Sequence, residues 1–171
     1  QIHKDDNKVK IFTRRLENVT EQFPEVVESV KKHVDEKKVV LDSEAVGFSK
    51  KTGKYLPFQN ISQRIKRKYD IHKLASELPV ELNVFDIINY KGKSVVNMPF
   101  VDRKKILKKI IKEDKKSIVL AKSITTDDEK IVQKFYNEAI DAGNEGLMVK
   151  KLDAPYKPGA RVGFMCKLKS E

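Results

Sequence analysis

The sequence predicts an α+β domain built on antiparallel β-sheets flanked by helices. Strand and helix patterns alternate along all 171 residues, with no internal repeat and no Gly/Ser-rich linker between them. A chain of this length can form one core that buries roughly 70% of the surface exposed by the unfolded chain. We therefore expect residues 1–171 to form a single domain.

Six segments have the composition of β-strands, rich in β-branched and aromatic residues that alternate or run continuously. The predicted strands are Val9–Arg14, Val39–Phe48, Leu82–Tyr90, Ser117–Ser123, Glu145–Lys150 and a C-terminal segment that includes Lys167–Lys169. The sequence Lys91-Gly92-Lys93, directly after the third strand, is typical of a hairpin turn.

Four segments carry the apolar stripe of an amphipathic helix. The predicted helices are Thr20–Val34, Phe58–Tyr69, Pro99–Lys112 and Thr126–Ala142. Asn18 or Thr20 is the predicted N-cap of the first helix. In the second, basic helix we expect Phe58, Ile61 and Ile65 to face the core.

The charge balance favours a polyanionic partner. There are 36 Lys and Arg residues against 25 Asp and Glu, which gives a net charge of +11 and a pI near 9.6. Basic side chains gain affinity for nucleic acid by releasing the counterions condensed on its phosphates. Only six of the 36 are arginine, and a surface rich in lysine and glutamate is equally typical of adaptation to heat.

Several classes of protein are excluded by composition. Cys166 is the only cysteine, so there is no internal disulfide, and three histidines do not supply a Cys/His zinc cluster. No apolar run approaches the ~18 residues of a membrane helix, and no signal-peptide pattern is present. We expect a monomeric cytoplasmic protein, associated with the nucleoid and without a membrane partner.

An acid and three amines on the last two predicted strands form a candidate site for a phosphate and a metal: Glu145, Lys150, Lys167 and Lys169. Glu145 follows Gly143 and Asn144, a pair typical of a helix end, so its carboxylate is expected at the mouth of a strand. Lys167 and Lys169 alternate with one residue between them and therefore point the same way. The alternative is chance, since a chain this rich in lysine produces such pairs at random.

Three further residues interrupt the local pattern. Glu44 lies in a buried strand, where an unpaired carboxylate costs several kcal/mol, and it needs either a lysine partner or a hydroxyl-rich ligand such as ribose. Phe85 is either a core residue or a ring that stacks on a base. Arg14, after the first strand, is either surface charge or a phosphate contact.

Five segments together resemble the nucleotidyltransferase (adenylation) domain of ATP-dependent DNA ligases, most closely the archaeal type. They are IFTRRLENVT (Ile11–Thr20), VVLDSEAVGF (Val39–Phe48), LNVFDIINYKGK (Leu82–Lys93), NEGLMVKK (Asn144–Lys151) and GFMCKLK (Gly163–Lys169). A further segment, LPFQNISQRIKRKYDI (Leu56–Ile71), is similar to the connecting helix of the DNA-joining branch. Their order and spacing match the family nearly from end to end.

The resemblance implies roles for the phosphate-binding and metal-binding groups. Lys167 and Lys169 would hold the α-phosphate of ATP and stabilise the charge that develops on it during attack. Glu145 would bind or orient a divalent metal, Mg²⁺, because this hard cation prefers oxygen ligands.

The resemblance also implies how the nucleoside and the substrate are bound. Glu44 would hold the ribose and Phe85 would stack on adenine. Arg14 would contact the nucleotide or the 5′-phosphate of nicked duplex DNA, since its planar fork suits phosphate. The implied processes are DNA replication, repair and recombination, with a sliding clamp as a further candidate partner.

The chain departs from the family pattern at three places. Ser43 stands where the family usually has glycine between its two acids, and Phe164 to Cys166 stand where a tryptophan usually precedes the last lysines. The nucleophilic lysine of the K-x-D-G motif has no counterpart, because the chain contains no Asp-Gly dipeptide. We therefore expect a core fragment that lacks this motif, the N-terminal DNA-binding domain and the C-terminal OB-fold, and that is inactive alone.

Two alternatives remain at this point. An RNA ligase or a capping-type nucleotidyltransferase would share the same nucleotide site, although Arg14–Thr20 and Leu56–Ile71 look like the DNA branch. A non-catalytic basic DNA-binding module would contain no nucleotide pocket.

Overall fold

Two β-sheets of unequal size organise the computed structural model, which describes residues 1–159 and 163–169. The strands are β1 (Ile2–Asp5), β2 (Lys8–Ile11), β3 (Lys38–Gly47), β4 (Val80–Tyr90), β5 (Lys93–Ser94), β6 (Ile118–Leu120), β7 (Gly146–Lys150) and β8 (Met165–Lys169). The larger sheet has the order β2-β1-β3-β4-β5, with β6 also paired to β4, and the smaller sheet is the hairpin-like pair β7-β8.

Five α-helices connect these strands. They are α1 (Pro24–His33), α2 (Gln59–Lys66), α3 (Ile71–Glu77), α4 (Phe100–Ile110) and α5 (Glu129–Asp141). Helices α1 and α4 pack on the larger sheet, and α5 packs beside β7. The predicted α+β class is confirmed: the pairs are antiparallel except for β4 with β6, which is parallel.

The core lies between the larger sheet and its helices. It combines alternate residues of the strands with the apolar stripes of α1 and α4, because only these faces can leave water without stranding a polar group. The fully or almost fully buried members are Ile2, Val30, Val39, Leu41, Leu82, Val84, Ile87, Ile110 and Ile118.

The amino terminus forms a hairpin of β1 and β2, of which only the second strand was predicted. Strand β1 was absent from the expected elements because only Ile2 is buried and the other three residues are polar. The predicted strand Val9–Arg14 begins one residue earlier, at Lys8, and ends at Ile11. Beyond that point Phe12 makes only an isolated bridge to Asn18, and Arg14 lies in an exposed turn.

Helix α1 begins later than predicted, and the predicted caps are wrong. Thr20–Gln22 forms a short 3-10 turn, and Phe23 occupies the N-cap position without a side-chain cap. Pro24 explains the boundary, because its fixed φ suits the first turn of a helix and its ring keeps the preceding residue out of the helical region. Asn18 instead accepts hydrogen bonds from the backbone and hydroxyl of Thr20.

Helix α2 packs two of the three residues predicted to face the core, Ile61 and Ile65, against it, but not Phe58. Phe58 is 55% exposed, whereas Ile61 is buried. Arg64 is also buried: it pairs with Glu25, donates to the Gln22 carbonyl at 2.8 Å and lies 4.4 Å from the Phe23 ring centre. A buried arginine is tolerated here because every direction of its guanidinium meets a partner.

Helix α3 was not predicted, β6 is shorter than the predicted strand Ser117–Ser123, and α5 begins three residues after the predicted start at Thr126. The predicted turn after β4 is confirmed. Lys91 and Gly92 both have positive φ, as a two-residue hairpin turn between antiparallel strands requires. Asp128 caps α5 by accepting a hydrogen bond from the Lys130 amide at 2.8 Å. Among the residues that the structure describes, no helix has the length and apolar character needed to cross a membrane.

Candidate functional site

The face of the larger sheet opposite α1 carries the predicted acid of β3. Val39 and Leu41 point into the core, so alternation places Asp42 and Glu44 on the other face. Glu44 is exposed as a residue, and the expectation that it would be buried in the strand was therefore wrong. The cost assigned to it from sequence is reduced because the side chain keeps contact with solvent.

Phe85 lies in a β-bulge. Along the β3–β4 ladder, Asp42 pairs with Asp86 and the next residue, Ser43, pairs with Val84. Phe85 is thus the extra residue of β4, with no partner on β3. Bulges bend a strand and redirect a side chain, and they are frequent beside active sites. The half-buried ring is consequently free to face something other than the core.

Glu145 lies at the mouth of β7, as predicted, and pairs with Lys167. The distance from Lys167 Nζ to Glu145 Oε2 is 2.8 Å, with both side chains largely exposed. This hydrogen bond is the main cause that lowers the pKa of Glu145, followed by the charges of Lys167 and Lys169. The structure therefore brings these three predicted residues together.

Glu44 belongs to the same cluster although it comes from the other sheet. Partial desolvation raises the pKa of its carboxyl group, the Glu145 carboxylate raises it further, and the Lys167 ammonium opposes both. Two acids and an amine from remote segments therefore share one region. Because like charges are costly there, the arrangement is typical of a binding site and unusual for a purely structural ion pair.

Glu44→Gln is expected to stabilise the folded chain at neutral pH. A raised pKa means that the folded state disfavours the charged carboxylate, so this contribution to stability is present below the ordinary value of 4.5 and is lost as the pH rises through the folded pKa. The substitution removes that loss. Thermal unfolding at pH 7 and pH 4 should show a gain in the melting temperature at pH 7 that shrinks at pH 4; an equal change at both would contradict it.

Close backbone packing fixes β7 against β8. Gly146 has a φ of 151°, and a Cβ at this position would overlap the carbonyl oxygen of Leu168. Only glycine allows this approach. Since Glu145 precedes Gly146 and Lys167 precedes Leu168, the contact also sets the separation of the acid from the amine.

The far end of β7 reaches the bulge. Lys150 Nζ lies 4.7 Å from the ring centre of Phe85 and 5.0 Å from that of Phe100. Burial lowers the pKa of Lys150, while the charges of Asp86 and Asp42 partly offset the effect. The start of β7, after Glu145, thus lies near Glu44, and its last residue lies near Phe85.

Arg14 is not joined to this cluster. It is exposed in the turn after β2, and within residues 1–159 and 163–169 it has no ion pair or hydrogen bond with the other predicted site residues. A cavity of about 540 Å³ adjoins Lys167 and Lys169 but is otherwise lined by the start of α5 and the residues before it, not by Glu44 or Phe85. Of the predicted groups, this cavity therefore adjoins only the two lysines of β8.

Glu44 and Glu145 suit a hydrated divalent cation better than a metal ion held entirely by protein ligands. In the described part of the chain, no cluster of three or more Asp, Glu, His or Cys side chains converges. Glu44 and Glu145 nevertheless repel each other, and both offer oxygen ligands. A hard cation such as Mg²⁺ suits two carboxylates because it keeps several waters and needs few protein ligands.

Sequence reasoning missed two residues beside the site, Arg103 and Tyr156. Arg103 and Tyr156 contact Asp86 and Asp42 respectively, and Lys150 lies near both acids. The position of Lys150 within EGLMVK was visible in the sequence, but its contact with Phe85 was not. Only the fold brings α4 and the segment after β7 to this place.

The chain resembles known proteins over nearly its whole length. The family model described as "ATP dependent DNA ligase domain" matches residues 1–169. A DNA ligase of Nanoarchaeum equitans is 50% identical over 169 residues, which are 99% of this chain and 30% of that protein. DNA ligase 2 of Methanosarcina mazei is 44% identical over 164 residues, covering 94% of this chain and 29% of that protein.

A solved structure shares the fold at lower identity. The mycobacterial DNA ligase D, complexed with ATP and MES, matches with a TM-score of 0.70 and 24% identity, over 98% of this chain and 50% of that one. The chain spans about 30% of the length of the curated relatives named above. With the family model covering residues 1–169, the chain belongs to the ATP-dependent DNA ligase domain family.

Proposed function

We propose that this chain is the adenylation domain of a ligase that seals nicks in duplex DNA with ATP. The observation that carries the proposal is the convergence of Glu44, Glu145 and Lys167 from two different sheets. The expected path has three transfers: a lysine attacks the α-phosphate and releases pyrophosphate, the 5′-phosphate at the nick takes the AMP, and the 3′-hydroxyl then displaces it.

The nucleoside would lie along β7. Phe85, displaced from the ladder by the bulge, offers its ring to adenine. Glu44, two residues from Asp42 on the same face of β3, would accept hydrogen bonds from the ribose hydroxyls. The position of Lys150 at 4.7 Å from the Phe85 ring supports the orientation of that ring.

The phosphate would be held by the amines of β8. Lys167 and Lys169 place two ammonium groups beside Glu145, where negative charge develops on the α-phosphate during attack. When bound, Mg²⁺ would supply further charge neutralisation on the phosphate oxygens. Glu145 would hold it, and the 2.8 Å bond to Lys167 would then give way to phosphate contacts of that lysine.

The nucleophile is assigned to a K-x-D-G segment, which these 171 residues do not contain. The direct test therefore uses the full-length protein, read from its complete gene. Incubated with ATP labelled at the α-phosphate, it should form a covalent adduct that is stable at neutral pH and released by acid, as a phosphoramidate is. Absence of any adduct would contradict the proposed function.

The choice between DNA and RNA is tested with the same protein. Nicked duplexes made of DNA or of RNA should be sealed with a strong preference for DNA. Preferred sealing of RNA would favour the RNA-ligase alternative, and transfer to a 5′-diphosphate end would favour a capping enzyme. Arg14 is included in the proposal as a contact with the nucleotide or the 5′-phosphate, because its exposed fork is available to either.

A basic groove at the β2 edge of the larger sheet supports a nucleic-acid substrate. Its volume is about 650 Å³, and five cations line it against one acid, Glu21. The cations are Lys8, Lys10, Lys31, Arg67 and Lys68. Ile11 directs its backbone groups to Val19 and Thr20, so alternation turns the amide of Val9 toward the same open edge. Amines and a backbone N–H suit a phosphate backbone.

Reversing two charges in this groove should weaken DNA binding and its salt dependence. Lys8→Glu/Lys10→Glu is expected to lower the affinity for duplex DNA about tenfold or more and to reduce the slope of log affinity against log salt by about 1.8, for two phosphate contacts. Fluorescence anisotropy over a salt series measures both. Lys105→Glu/Lys109→Glu on α4 makes the same charge change outside the groove; equal effects would show that net charge alone is responsible.

A further inference from the structure

Two carboxylates face each other across the strands that carry the proposed nucleotide site. Asp42 of β3 and Asp86 of β4 are direct partners in the ladder. Their pair lies next to the bulge at Phe85. Like charges at such positions destabilise a sheet. The pair therefore persists only with compensating partners, and the identity of those partners is informative.

Asp86 is compensated by Arg103 of α4. Arg103 Nε lies 2.8 Å from Asp86 Oδ1 and Nη2 lies 3.2 Å from Oδ2, with both side chains buried. The same guanidinium donates to the carbonyls of Met98 and Ala154, the latter at 3.0 Å. Arg103 thus joins β4 to the segment that follows β7.

Asp42 is compensated by that same segment. The hydroxyl of Tyr156 donates to Asp42 Oδ2 at 2.7 Å across 114 residues of sequence. This hydrogen bond and the charge of Asp42 contribute, after burial, to a raised pKa of Tyr156. Lys150, at the end of β7, lies close enough to both acids for their charges to act on its pKa.

Backbone hydrogen bonds also bind this segment to the start of α4 and to Val96, which precedes α4. Phe100 N–H donates to the Ala154 carbonyl at 2.9 Å and Val101 N–H donates to the Leu152 carbonyl at 2.8 Å. Tyr156 N–H donates to the Val96 carbonyl at 2.7 Å. The first-turn amides of α4, which have no partner within the helix, are satisfied by this segment.

These contacts decide where the smaller sheet lies. Glu145 and Lys167 are on the smaller sheet, while Glu44 and Phe85 are on the larger one. The segment from Lys150 to Tyr156 leaves the smaller sheet and is bound on the larger one beside the acid pair. A purely structural joint would not need two opposed carboxylates, since apolar residues of similar size serve as well or better.

We propose that the Asp42–Asp86 acid pair docks the segment Lys150–Tyr156 and that Tyr156 is a positioning residue, setting the spacing between the base-binding and phosphate-binding halves of the site. Only the positioning role of Tyr156 rests on the proposed function. Docking itself concerns this chain alone, and the two parts are separable by experiment.

Tyr156→Phe tests the docking, because it removes one hydroxyl and keeps the ring. Amide hydrogen exchange should become about tenfold faster at residues 100, 101 and 156, the donors of the three backbone bonds, as expected for loss of one hydrogen bond to a charged acceptor. Exchange at Leu41 and Val84 in the core should be unchanged. Unchanged protection at all three donors would overturn the proposal.

Tyr55→Phe is the matched control. Tyr55 also donates its hydroxyl to a carboxylate, that of Glu81, but it lies outside the segment Lys150–Tyr156. This variant should leave exchange at residues 100, 101 and 156 as it was. Equal acceleration in both variants would overturn the proposal, because it would show a general loosening instead of a local docking contact.

The positioning role is tested in the full-length protein by self-adenylation. Tyr156→Phe should raise the KM for ATP several-fold, whereas Tyr55→Phe, with a similar change in the unfolding midpoint, should not. A KM shift shared by both variants would overturn the positioning role. If the unmutated protein forms no adduct, the proposed function fails, and the exchange comparison still decides the docking.

Discussion

Replacing Lys167 by alanine should lower self-adenylation of the full-length protein by two to three orders of magnitude. Removal of a single preorganised donor from an anionic transition state typically costs about 10²–10³ in rate. Lys167 is half exposed, and among the residues that the structure describes its side chain bonds to Glu145 alone, so its loss should leave the free energy of unfolding almost unchanged. Single-turnover transfer from labelled ATP and urea denaturation measure the two quantities.

The control is Lys134→Ala, which removes an exposed lysine from α5 and should adenylate at the wild-type rate. Wild-type labelling in the Lys167 variant would remove the amine from the proposed site. A large loss of stability in that variant would instead assign Lys167 a structural role. The basic-module alternative predicts no effect of either substitution on any nucleotide reaction.

Replacing Asp86 by alanine should destabilise the chain more than any other substitution considered above, by about 3–5 kcal/mol. Arg103 would remain buried with its charge uncompensated, and desolvated ions without a partner are among the costliest defects in a core. The expected observation is a large decrease in the urea midpoint. Asp102→Ala, which breaks only the exposed 3.8 Å pair with Lys105, should change the free energy by less than about 1 kcal/mol.

A double substitution distinguishes the lost pair from general damage. Asp86→Ala/Arg103→Met removes both charges and leaves an apolar side chain of similar length in the space. It should recover part of the stability that Asp86→Ala loses, since the buried charge is gone. No recovery would mean that the carbonyl contacts of Arg103, not its charge pairing, dominate the cost.

Long elements were predictable because one face of each must be apolar. The boundaries of β3, β4 and α4 differ from the predicted ones by no more than two residues, and Asp128 marks the start of α5. Residues whose burial depends on a distant partner were not predictable. Arg64 reads as a surface residue in the sequence, and only Glu25 and the Phe23 ring, about forty positions away, make its burial possible.

The residues of the candidate site also divide into those that the sequence predicts and those that depend on distant partners. The quoted segments indicated Glu44, Phe85, Glu145 and the two lysines. The hydrogen bond between Lys167 and Glu145 was not predictable, because the β7–β8 register places Lys167 opposite Met148. The bulge, the acid pair and the hydrogen bond from Tyr156 to Asp42 could not be predicted from the sequence. A one-residue offset between two strands leaves no mark on either strand's own pattern, and long-range partners are set by topology.

The bulge at Phe85 has a further consequence for how the molecule can change. Ser43 and Asp42 are consecutive in β3, but their partners Val84 and Asp86 are separated by Phe85. If residue 85 were deleted, the two partners would also be consecutive. The ladder would then be regular here, and no core side chain would change its face. The Phe85 ring would be the only side chain lost. The proposed base contact and the pairing of the sheet thus depend on separate positions, so a single-codon deletion is expected to leave the fold intact while removing that contact.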